Sequence, residues 1–131
     1  MDSKEDVERL EKLVGQLQGL YSEVGALAKK NPNDAVNSFK LKLINRVLEM
    51  GNEVLGEKYK PFDDFDSFDP DDAPSTSDVT IVVAQYMEEA ERFRSDNVIS
   101  ASVKGSYGWY YVVDGRASEV RSGPPTKIGR K

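Results

Sequence analysis

"SYGWYYVVDGRASEV", residues 106–120, is where the chain changes its period. Upstream, apolar residues recur every three or four positions; here they alternate. Tyr107, Trp109, Tyr111 and Val113 fall on one side of an extended strand, and Gly108, Tyr110 and Val112 on the other. Asp114-Gly115 follows, the two-residue signal for a type I′ hairpin turn. Residues 98–103 extend the pattern backwards through Lys104-Gly105 and offer a third strand. A sheet over about 98–121 at the end of a helical chain predicts an α+β fold, not an all-helical one.

Working towards the N-terminus, Val79, Val82, Val83, Tyr86, Met87, Ala90 and Phe93 mark one face of a helix over about 76–96. The run Ser75-Thr76-Ser77-Asp78 supplies its caps. An earlier helix over about 34–55 is capped by Asn33 or Asp34 and stopped by Gly56. Val36, Phe39, Leu43, Ile44, Val47, Met50 and Val54 form its main face, with Leu41, Leu48 and Leu55 to one side. That apolar arc spans about 200°, more than one neighbouring helix covers. The first helix, about 3–30, starts at Ser3, and its stripe runs through Val7, Leu10, Val14, Leu17, Tyr21 and Val24, with Leu13, Leu20 and Leu27 beside them. The expected architecture is a three-helix antiparallel bundle followed by a small antiparallel β-hairpin or three-stranded meander. Residues 1–122 form one domain, and 123–131 a flexible basic tail.

The connector 57–75 contains one triplet written three times: Phe62-Asp63-Asp64, Phe65-Asp66-Ser67 and Phe68-Asp69-Pro70. In a polyproline-II or 3₁₀ stretch three residues make one turn, so the phenylalanines point the same way. Leaving each in water forfeits about 1.5–3 kcal/mol. The triplet therefore predicts a strap whose rings dock on the helices while its aspartates face out. A calcium-loop reading from Asp64 and Asp66 fits poorly, because Phe68 and Asp69 occupy the next slots and no glycine makes the sharp turn. A further reading is acidic mimicry, in which the carboxylates occupy a surface that binds phosphates.

Composition removes whole classes of chemistry. With 131 residues, no cysteine and no histidine, the chain lacks disulfides, thiolate metal sites, the commonest general base and the usual triad. No metal and no cofactor is expected. There is no signal-peptide pattern and no apolar run near the ~20 residues that span a bilayer, so a cytoplasmic protein is expected. The net charge of −5 is unevenly spread: residues 57–78 carry eight acids against two bases, and residues 97–131 two acids against six bases.

These features predict a non-enzymatic protein-binding module: an adaptor, regulatory subunit or inhibitor. Its expected contacts are the acidic segment 61–72, through Asp63, Asp64, Asp66, Asp69, Asp71 and Asp72, and an apolar helix face at Leu41, Leu48 and Leu55. The expected partner is a protein with a basic surface, and the wide arc also suggests a homodimer. The alternative is a nucleic-acid-associated protein that stacks bases on Tyr107, Trp109 and Tyr111 beside Arg116, Arg121, Lys127 and Arg130. A weaker one is a magnesium-dependent carboxylate hydrolase using Glu88, Glu89 and Glu91, for which no second acidic pair is found at suitable spacing.

Overall fold

Local capping starts every helix of the computed structural model, which describes residues 1–130. Ser3 Oγ accepts the Asp6 N–H at 3.2 Å and opens α1, Lys4–Lys30. Asn37 Oδ1 accepts the Lys40 N–H at 2.8 Å and opens α2, Ser38–Tyr59. Ser75 Oγ accepts the Asp78 N–H at 3.1 Å and opens α3, Thr76–Asp96. Three strands follow, β1 (Val98–Val103), β2 (Ser106–Val113) and β3 (Arg116–Arg121), in the antiparallel order β1-β2-β3. Both turns place a residue and then a glycine at positive φ, Lys104-Gly105 and Asp114-Gly115. The chain is an α+β domain whose meander has all three strands.

The second helix departs from its expected bounds at both ends. It starts at Ser38, four residues later than the sequence suggests, because residues 32–36 are taken up by long-range pairing. Val36 N–H donates to Pro74 O at 3.0 Å, and the Thr76 and Ser77 N–H groups donate to Asp34 O and Pro32 O at 2.9 and 3.1 Å. At the other end Gly56 has φ 66° and ψ −173°, a conformation open almost only to glycine. The helix breaks there rather than stopping, and one more turn swings Tyr59 inward. Its ring stacks on Phe93 at 4.8 Å, and its hydroxyl donates to Asp96 Oδ2.

Helix directions follow from the side-chain pairs. Arg9 meets Glu53 and Glu23 meets Lys40, so α1 and α2 run antiparallel. The Thr76 hydroxyl donates to Asn31 O at 2.6 Å, while Val14 and Leu17 share a cleft with Met87 and Ala90, so α1 and α3 are also antiparallel. Helices α2 and α3 run the same way, because residues 60–75 carry the chain back along α2 before α3 begins. Spanning the 22 residues of α2 takes about 33 Å, well within the ~50 Å reach of an extended connector of this length.

The core gathers Val7, Leu10, Leu13, Leu17 and Val24 of α1, Leu41, Ile44, Leu48 and Leu55 of α2, and Val79, Val83, Tyr86 and Ala90 of α3. On α1, Leu13 from beside the main stripe is fully buried, whereas Val14 is half-buried and Tyr21 is 42% exposed. Val98 and Tyr111 bring the sheet into the same core. Gly51 lets the Tyr86 ring lie against α2; a Cβ there would sit 3.0 Å from Tyr86 Cδ2.

Candidate functional site

The strap forms as its triplet demands. Phe62, Phe65 and Phe68 pack on the core in an edge-to-face ladder, with centroids 5.8 and 5.0 Å apart, and Phe62 continues it to Tyr86 at 6.3 Å. Two asparagines of α2 fix its backbone. Asn45 binds Phe68 twice, accepting its N–H at 2.8 Å and donating to its carbonyl at 2.9 Å. Asn52 donates to Asp66 O at 3.0 Å and accepts the Tyr86 hydroxyl at 2.7 Å. Burial raises the Tyr86 phenol to about 12, against the smaller opposing effect of that bond. One polar relay thus runs from α3 through α2 to the strap.

All six predicted aspartates, Asp63, Asp64, Asp66, Asp69, Asp71 and Asp72, lie on the solvent side. Asp69 caps the short 3₁₀ turn Pro70–Asp72 by accepting the Asp71 N–H at 2.9 Å. None of the six forms an ion pair among the described residues. Beside this ridge, Phe39, Lys42, Asn45, Arg46, Glu49 and Pro70 line an open groove of ≈ 610 Å³. Phe39 is 70% exposed, and Leu43, one turn further on, is 41% exposed.

The apolar helix face lies elsewhere than expected. Leu41, Leu48 and Leu55 are fully buried in the core and offer nothing to a partner. The reason is the strap, which covers the part of the wide arc that α1 and α3 leave open. Phe39 and Leu43 are the exposed apolar residues of α2. Asn45 and Asn52, missed in the sequence, had left a signal: two weak helix formers seven residues apart, interleaved with Leu41, Leu48 and Leu55.

The aromatic row does not form a stacking platform. Tyr107 is 74% exposed, Trp109 is half-buried against the core and Tyr111 is 2% exposed. Burial raises the Tyr111 phenol. The basic residues named with them are largely committed. Arg121 lies 5.2 Å from the Tyr110 ring centroid, crosses Gly108, and donates to Ser106 Oγ and Tyr107 O at 2.9 and 2.7 Å. Lys127 pairs with Glu88 at 3.7 Å and Arg130 with Glu89 at 2.8 Å; Arg116 is exposed.

Nor does the segment after β3 trail loose. It runs along α3, whose carboxylates Glu88 and Glu89 pair with its basic residues. Arg94 grips Glu91 with two nitrogens, at 2.7 and 2.8 Å, and reaches Gly123 O and Pro124 O at 2.9 and 2.8 Å. The Arg94 guanidinium holds the Glu91 carboxyl below the usual carboxylate range. Glu89 is engaged by Arg92 as well as Arg130. Among the described residues no group of three acids could hold a metal ion, and no helix is long and apolar enough to cross a membrane.

Comparison with protein-family models, with curated proteins and with solved structures finds no match to this chain.

Proposed function

We propose that this protein is a non-enzymatic binding module that docks a basic protein surface on the acidic ridge of its strap. The observation that carries the reading is six uncompensated carboxylates on a backbone pinned at Asp66 and Phe68. A flexible acidic loop must lose conformational freedom on binding; a strap already fixed by its rings and two asparagines loses little. Uncompensated like charges repel one another, and a cationic partner relieves that repulsion while being steered to the ridge. The adjoining groove with exposed Phe39 supplies the apolar contact that charge alone lacks.

The test is capture from native lysate with the wild type and with a variant carrying asparagine at all six positions. Both are first shown to melt cooperatively. A partner held by the wild type in low salt should be lost by the variant, and lost by the wild type as salt rises. Equal capture by both proteins would refute the reading.

A further inference from the structure

The segment after β3 is held in an unusual way. Residues 124–130 are all exposed, and Ile128 is 90% exposed, so no apolar burial fastens them. Polar groups of α3 do so instead, and mostly through the segment's main chain. Ser95 Oγ accepts the Thr126 and Lys127 N–H groups at 3.1 and 3.3 Å. Arg92 Nε donates to Ile128 O at 3.0 Å, and Asp96 Oδ2 accepts the Arg130 N–H at 2.9 Å. The sequence-reading contacts lie at the far end. The Arg130 guanidinium meets Glu89, itself 9% exposed, and Gly129 passes so close to Asp96 that a Cβ would fall 1.7 Å from Oδ1. Tyr59, turned inward by the Gly56 break, braces Asp96 from below.

We infer that this face of α3 is a peptide-binding groove for an extended Gly-Arg segment of a partner, and that residues 124–130 occupy it as a built-in competitor. Main-chain recognition tolerates other side chains, so a foreign segment with glycine and arginine at the same spacing meets the same donors and acceptors. The groove also has anchors of its own: Glu89 is engaged by Arg92 of the same helix and Asp96 by the Tyr59 hydroxyl, so both carboxylates keep a partner outside the segment. The resident segment suits a replaceable role, because a stretch held by polar contacts, with no apolar side chain buried, is the kind that opens locally while the core stays folded. This surface is separate from the acidic strap and does not rest on the reading given to it.

The experiment uses the full chain and a fluorescent peptide with the sequence of residues 124–130, followed by anisotropy. In Gly129→Val the added side chain expels the resident segment, and in Arg130→Glu the charge reversal opposes Glu89. Both variants should bind the peptide at least about tenfold more tightly than the wild type, whose groove is already filled. Adding Glu89→Gln and Asp96→Asn should abolish that binding, while the six-asparagine strap variant should bind as the wild type does. Amide exchange at Thr126, Lys127 and Arg130 should quicken in Gly129→Val. Equal affinity of wild type and Arg130→Glu for the peptide would overturn the inference. So would absence of binding to either variant while its melting remains cooperative.

Discussion

Glycines in this chain have opposite values at different places. Gly25 lies inside α1 with open space around its Cα, so Gly25→Ala should stabilise by about 0.5–1 kcal/mol through helix propensity. Gly56 holds a conformation that a Cβ opposes, and Gly56→Ala should destabilise by about 1–3 kcal/mol and loosen Tyr59. Urea melts of the two variants should shift in opposite directions. Buried phenols set the alkaline limit. The pKa of Tyr86 is raised in the fold from 10.0 to about 12 by burial, so the folded state favours the neutral phenol. Its contribution is complete below pH 10 and is lost as pH rises through about 12. Tyr59 and Tyr111 shift the same way, chiefly through burial. Stability measured against pH should therefore fall in that window, and less steeply in Tyr86→Phe.

Among the elements, the strap joins fold to function. Its rings close the core and its carboxylates face water, so the two sets of side chains should respond oppositely to substitution. Phe65→Ala should lower stability by about 2 kcal/mol, less than for a fully enclosed ring because Phe65 is half-buried. Replacing the six aspartates by asparagine should leave the melting temperature unchanged or slightly raised, since exposed charges contribute little and self-repulsion falls. Thermal melts of both variants check this. An asparagine variant that unfolds while Phe65→Ala melts normally would mean the segment is inside out. The strap's triplet was legible from its spacing alone. The asparagine clamps were harder to read, because an asparagine in a helix announces only a poor helix former until the backbone it binds is in place.

For the whole molecule, the Leu41, Leu48 and Leu55 side of the apolar arc that suggested a dimer is buried within one chain, and only Phe39 and Leu43 of that arc stay exposed. Light scattering at micromolar concentration should give a 14.6 kDa particle. A doubled mass would point to Phe39 and Leu43, the apolar residues that α2 leaves exposed. The tertiary structure also shares out the charge. The basic residues late in the chain are drawn to the acids of α3, through Arg130 to Glu89 and Lys127 to Glu88, and leave the strap aspartates without cations. Composition showed a negative segment and a positive one; which acids the bases would choose depended on α3 lying between them.

The sequence by itself determined the elements: three amphipathic helices, a type I′ turn at Asp114-Gly115, a change of period near residue 97, and phenylalanines three apart. Each is a local matter, fixed by dihedral preference, capping chemistry or the period of apolar residues. Only the tertiary structure decided that α2 and α3 run parallel, that Leu41, Leu48 and Leu55 are core, that Tyr111 is buried, and that residues 123–130 lie on α3. These depend on which surfaces meet. Contacts between residues 32 and 77, 45 and 68, or 89 and 130 join groups whose local sequences carry no sign of one another. Pairing of that kind is selected by the burial and hydrogen bonding of the assembled chain, not by any segment alone.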